Sequence, residues 1–200
     1  MILQSVLTLL LLALAGSASG DPGSLQTGFF STTQPADEIL GDKATRYGEL
    51  FDAGEEITWR YYVPTNYSPG NAAGLLVYIS PTRSGAMPKA WRSVMDDQNM
   101  IWIGADQSGN RTRVPRRILL SLLAVELAKL DYSIDESRVY LSGFSGGARV
   151  ASMAAIDHAQ VFSGGVFFCG ADLWDLESSP DMDSIRENRY VFLTCLLYTS

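Results

Sequence analysis

The stretch VYLSGFSGGARVA, Val139 to Ala151, decides how this sequence is read. It opens on β-prone residues and closes on helix formers, with Gly143-Phe144-Ser145-Gly146-Gly147 between them. A serine on a very tight strand-to-helix turn is pushed into unusual backbone angles, and glycines two before and two after it leave room for that turn. The turn exposes Oγ and aims the start of the next helix at it, so the following N–H can stabilise a developing oxyanion. Ser145 is therefore the candidate nucleophile and Gly146 the first candidate oxyanion donor. A tight turn without chemistry is the alternative. The run lacks the lysine of a phosphate-binding loop.

Outward from this corner, strands and helices alternate. Ile57–Val63 has a period of two and reads as a half-buried strand stopped by Pro64. Leu75–Ile79 and Met100–Gly104 are continuous apolar runs of the buried parallel kind. A helix is expected from Pro88 to about Asn99, and another from Pro115 to about Leu130 with a stripe of Ile118, Leu119, Leu122, Leu123, Val125 and Leu130. Arg138–Leu141, Gly165–Phe168 and Tyr190–Leu193 read as further strands, and Gly146 to about His158 as an alanine-rich helix. The lead from Asp21 to about Gly54 is polar and turn-rich. This order predicts an α/β fold with a mostly parallel sheet flanked by helices, in which chemistry collects at the carboxyl ends of the strands.

The run Tyr132-Ser-Ile-Asp-Glu-Ser-Arg-Val-Tyr-Leu-Ser-Gly-Phe-Ser-Gly-Gly147 resembles the segment leading through the nucleophile of α/β-hydrolases. It is most similar to secreted esterases of the polyhydroxybutyrate depolymerase and feruloyl esterase type, where Y-x-I-D-x-x-R-V-Y-x-x-G-x-S-x-G-G is common. Asp135 and Arg138 match the family's Asp and Arg, and Ser145 matches its nucleophile. The resemblance covers about Leu75 to Gly170; the earlier strands match in pattern only. It implies an α/β-hydrolase fold, a serine esterase activity on a small-molecule or polymeric ester, and no cofactor. One departure lies after Leu75–Ile79. These families often carry a His-Gly type oxyanion loop there, whereas this chain has Ser80-Pro-Thr-Arg-Ser-Gly85. Pro81 has no N–H, which leaves Thr82 or Arg83 as the second donor.

The base is the second departure. The chain has one histidine, His158, 13 residues past Ser145. Along a helix that is about 18–20 Å, whereas a base must come within ~3 Å of the hydroxyl. His158 reads as a solvent-facing residue at a helix end. In the α/β-hydrolase order the acid and then the histidine follow the serine, and the acid follows the strand after next, here Arg189–Thr194. Both are expected beyond Thr194, so this chain should be hydrolytically silent and should expose an apolar sheet edge. Asp106 reads as a loop cap. Asp172, Asp175 and Glu177 follow an earlier strand, where an acid is an occasional variant of the triad. Trp91, Phe144 and Trp174 are candidates for a pocket wall or for packing.

The last six residues, Cys195-Leu-Leu-Tyr-Thr-Ser200, are what TGT CTC TTA TAC ACA TCT encodes. That string resembles the transposon mosaic end used as a sequencing adapter, so residues 195–200 are expected to be non-native. Cys169 would then be the single native cysteine, read as a small buried residue, and a Cys169–Cys195 pairing would not be native. At the other end, Met1–Gly20 carries an apolar run from Val6 to Ala15 followed by Ala18-Ser19-Gly20. The run is too short to cross ~30 Å of hydrocarbon at ~1.5 Å per residue. It reads as a signal peptide, and the product is expected to be secreted or periplasmic. Residues 21–194 form the partial hydrolase domain.

A net charge of −7 argues against nucleic acid as a partner, which needs a basic face. One histidine and two cysteines build no metal-ligand cluster. Asn66-Tyr-Ser68 and Asn110-Arg-Thr112 match glycosylation acceptors. Nothing in the sequence sets an oligomeric state. Two other readings stay open: a serine peptidase of the prolyl oligopeptidase type, and a non-catalytic hydrolase-like binding protein.

Overall fold

The computed structural model describes residues 25–172 and 181–195. The leader, Trp174, Asp175, Glu177 and residues 196–200 lie outside the described residues. In chain order the elements are β1 (Gly28–Pro35), α1 (Ala36–Leu40), α2 (Ala44–Tyr47), β2 (Glu56–Val63), β3 (Ala73–Ile79), α3 (Arg92–Asp97), β4 (Met100–Ala105), α4 (Val114–Asp131), β5 (Ile134–Phe144), α5 (Gly146–Asp157), β6 (Gly164–Phe168), α6 (Met182–Glu187) and β7 (Arg189–Leu193). Seven strands form one sheet in the order β1-β2-β4-β3-β5-β6-β7. The β1–β2 and β2–β4 pairs are antiparallel and all others parallel.

The apolar runs become strands because both faces of the sheet are covered at its centre. Leu75, Val77 and Ile79 of β3 pack into a core with Leu120, Leu123 and Ala124 of α4 and Ala148, Ala151 and Ala155 of α5. Leu76 turns to the other face and joins Tyr62, Met95 and Trp102 under α3. Each Val, Leu, Ile or Met side chain among these taken fully out of water contributes about 1.5–3 kcal/mol before ordering costs. Small residues on α4 and α5 let both helices approach the sheet closely. Among the described residues, no helix is long and apolar enough to cross a membrane.

Several expectations need correction. The polar lead contains β1, which pairs with β2 over its whole length. The helix expected from Pro88 is only a 3-10 turn, Lys89–Trp91, followed by α3. β5 starts at Ile134, not Arg138. Leu130, assigned to the buried stripe of α4, is 73% exposed. Leu119, Leu123 and Val125 of that stripe are buried as expected, and the buried face also takes in Arg117, Leu120, Ser121, Ala124 and Ala128.

β7 stands at one edge of the sheet with Val191, Phe192 and Leu193 between 45% and 49% exposed, an apolar edge of the kind anticipated. The ends of β6 and β7 bring Cys169 and Cys195 into a disulfide, with 5.0 Å between the Cα atoms. Cys169 is half-buried, where a buried residue was expected. Cys195 opens the tail read as adapter-encoded, so the pair is not a feature expected of the native protein.

Candidate active site

β3, β5 and β6 run parallel, with Ile79 beside Gly143 and Phe144 beside Phe168. Their outgoing loops therefore leave the same sheet edge side by side. Ser145 sits at the corner between β5 and α5 with φ 52° and ψ −121°, a conformation that costs a non-glycine residue about 1–3 kcal/mol. Two backbone bonds hold it there. Its N–H donates to the Phe168 carbonyl at 2.8 Å, and its own carbonyl accepts from Arg149 N–H at 3.1 Å.

Close approach explains the flanking glycines. A Cβ on Gly143 would lie 2.5 Å from the Gly147 carbonyl carbon and 2.6 Å from Ala148 N. A Cβ on Gly147 would strike the Ile79 carbonyl oxygen. The first turn of α5 is thus pressed onto the end of β3, next to the loop beginning at Ser80. Ser145 is half-buried, and Phe144 is 47% exposed beside it.

The candidate oxyanion donors differ in their commitments. Gly146 N–H, at the start of α5, has no acceptor among the described residues. Thr82 N–H donates to Ser80 Oγ at 3.1 Å, so it must leave that oxygen to serve. Arg83 accepts at its carbonyl from Gln107 N–H at 2.6 Å, and its Nη2 donates to Gln107 Oε1 at 3.3 Å. Its own N–H has no partner among the described residues. Of the two loop positions, Arg83 is the one with a donor to spare.

This loop is anchored at four points. Arg117 Nη2 donates to the Ser80 carbonyl at 2.9 Å, and Asn110 N–H to the Pro81 carbonyl at 3.0 Å. Gln107 holds Arg83 as described. Gly85 N–H donates to Asp106 Oδ1 at 2.9 Å. Asp106 also accepts from Arg60 Nε at 2.7 Å, so it caps a loop, as its position implied. Asn110 was noticed in the sequence only as a glycosylation acceptor. Its side-chain amide lies where a Cβ on Gly146 would go, with Nδ2 2.9 Å from that point. Nothing in the sequence pattern links Asn110 to the elbow; only the fold does.

His158 lies at the far end of α5, 13 residues from Ser145 or about 18–20 Å along the axis. It is half-buried and not solvent-facing. Burial moves its pKa below the usual 6.5, against the opposing pull of Asp157. Asp172 is exposed, and its backbone N–H donates to Ser152 Oγ at 2.9 Å. Ser152 stands about 10 Å along α5 from Ser145. Neither residue meets the serine. Trp91 packs edge-on against Trp102 and Phe168, with ring centroids 5.7 Å and 5.5 Å apart, which makes it a packing residue. Among the described residues, no group of three or more His, Cys, Asp or Glu could hold a metal ion. A cleft of about 300 Å³ opens beyond the ends of β6 and β7, lined by Phe167, Gly170, Phe192, Leu193 and Thr194 among others.

No family model matches the chain, and no curated protein matches it. Solved structures do. A thermostable esterase superposes with a TM-score of 0.57 and 17% identity over 82% of this chain and 45% of its own. A protein of Bacteroides ovatus assigned as a dipeptidyl aminopeptidase IV superposes with a TM-score of 0.53 and 17% identity, over 73% of this chain and 22% of its own. At such identities the likeness carries the fold alone. The chain spans less than half the length of either protein.

Proposed function

The chain has the α/β-hydrolase fold, and we propose that it belongs to a secreted serine hydrolase that cleaves carboxylic esters through an acyl-enzyme on Ser145. The observation that carries this reading is the corner itself: a serine at φ 52°, followed directly by a helix N-terminus with a free N–H. A structural turn has no need to hold a serine in that conformation, where glycine sits without strain.

In the reaction, Ser145 Oγ attacks the ester carbonyl carbon. The hydroxyl proton passes to a histidine that this chain does not supply at the site. The carbonyl oxygen becomes an oxyanion, held by Gly146 N–H and a second N–H from the Ser80–Gly85 loop, Arg83 before Thr82 because its amide is uncommitted. Collapse of the tetrahedral species expels the alcohol, which takes the proton, and leaves an acyl-serine. Water then attacks that acyl group by the same route and restores Ser145. No step calls for a cofactor. The exported location rests on the leader, and the ester class on the run Tyr132–Gly147.

A peptidase is the second reading, favoured by the fold shared with the dipeptidyl aminopeptidase. One experiment separates the two. The native gene is read past the codon for Thr194, and the full protein is assayed on p-nitrophenyl esters and on peptide anilides. Ester hydrolysis that falls on the order of 10⁶-fold in Ser145→Ala is expected. Peptide cleavage without ester cleavage selects the peptidase. A complete reading frame with no histidine after Thr194 removes the enzyme reading altogether.

A further inference from the structure

On the α4–α5 face of the sheet, between β2, β3 and α4, lies a small cavity with about 10 Å³ open to the centre of a water-sized sphere. Val77, Ile79, Leu120 and Ala124 give it apolar walls, and Ser108 and Ser121 add hydroxyls. Arg117 and Trp59 also line it, and among the described residues Arg117 Nε and Trp59 Nε1 have no hydrogen-bond partner. Both residues are buried, Arg117 at 3% exposure and Trp59 at 0%. Among the described residues the guanidinium has one acceptor, the neutral Ser80 carbonyl on Nη2. Among the described residues, no carboxylate pairs with it. A buried guanidinium without a counter-charge is strongly disfavoured, and arginine keeps its proton even so.

We infer that this cavity is a site for one halide-sized monovalent anion, chloride in ordinary solution, bound by Arg117 Nε–H and Trp59 Nε1–H. Both groups are donors, so the occupant must accept twice. A water would satisfy the two donors but would leave the buried guanidinium charge without a counter-charge. An ion that only accepts meets the two donors and also neutralises Arg117. The occupied site leaves Nη2 on Ser80, so the anion supports the root of the loop that carries Thr82 and Arg83.

The test is crystallographic and thermodynamic, on the chain as it stands. Crystals grown in sodium bromide and measured at the bromine edge are expected to show an anomalous peak within hydrogen-bond distance of both nitrogens. Density of water strength with no anomalous signal, or an empty cavity, overturns the assignment. In solution, the melting temperature is expected to rise with bromide or chloride relative to gluconate at equal ionic strength. Trp59→Phe removes one donor and keeps a ring, and should raise the half-effective halide concentration about tenfold. Arg117→Met should abolish the halide response; if that variant does not fold, Trp59→Phe and the bromide map decide. An identical halide response in wild type and Trp59→Phe also overturns the site.

Discussion

The main-chain N–H of Ser145 donates to the carbonyl of Phe168 at 2.8 Å, and this bond ties the serine corner to the end of the neighbouring strand. It helps hold Ser145 at φ 52°, where a side chain is strained and glycine is not. Ser145→Gly is therefore expected to stabilise the chain by about 1 kcal/mol, while Ser145→Ala keeps the strain and gains nothing comparable. Urea midpoints of the two variants check this. Equal midpoints would mean that the corner stores no strain.

Two adjacent glycines should respond very differently to alanine. At Gly147 the new methyl meets the backbone of Ile79 and Ser80, which cannot step aside without moving β3. At Gly146 it meets the far end of the exposed Asn110 side chain, which can turn away. Gly147→Ala should cost about 3 kcal/mol and Gly146→Ala less than about 1 kcal/mol. Denaturant unfolding reads both, and a reversed order would refute the packing described for the start of α5.

The same contrast explains what was legible in the sequence. The strand-to-helix corner is local: strand, serine, glycines and helix lie within a few residues, so its geometry can be read from letters alone. β1 was not legible, because its buried and exposed positions do not match its apolar and polar ones. Phe29 points outward at 47% exposure while Thr32 is half-buried, so the burial alternates but the apolar and polar letters do not follow it. Part of the buried face of α4 was hidden for a related reason. Arg117 and Ser121 are buried on it, and polar letters conceal a core face. The ranking of Arg83 over Thr82 rests on the Ser80 hydroxyl taking one amide, which no pattern of residue types encodes.

Glu55 and Arg116 form a two-pronged ion pair, with contacts of 2.8 Å and 2.7 Å. The pairing holds the Glu55 pKa below its usual 4.5. A carboxylate with a depressed folded pKa contributes stability that is whole above the unfolded value and fades as pH falls through the folded one. Glu55→Gln should cost about 1–2 kcal/mol at pH 7. The gap between wild type and variant should stay constant down to about pH 4.5 and shrink below it. Urea midpoints measured from pH 7 to pH 3 test this, and a gap that widens on acidification would contradict the pairing.

His158 gives a separate signature. Its folded pKa lies below the usual 6.5 because burial disfavours the imidazolium. The unfolded chain therefore binds the proton first, so stability is full above pH 6.5 and declines as pH drops from there through the folded pKa. The chain has no other histidine, so no second imidazole obscures the effect. His158→Gln should flatten the stability profile in this window. A profile that still slopes in the variant would assign the effect to another group.

Asp106 lets charge and geometry be separated at the Ser80–Gly85 loop. Its Oδ1 accepts from Gly85 N–H and its Oδ2 from Arg60. The Arg60 side chain is 42% exposed, so the ionic part is weakened by solvent, whereas the Asp106 side chain is only 14% exposed. Asp106→Asn keeps an oxygen for Gly85 and should cost about 0.5–1 kcal/mol. Asp106→Ala removes both acceptors, leaves the Gly85 amide unpaired and should cost about 2 kcal/mol. Hydrogen exchange provides the local readout: Gly85 N–H should stay protected in the asparagine variant and exchange faster in the alanine variant, and Arg83, two residues earlier on the same loop, should loosen with it. If both variants lost Gly85 protection equally, the charge of Asp106, and not the position of its oxygen, would be what fixes the loop beside Ser145.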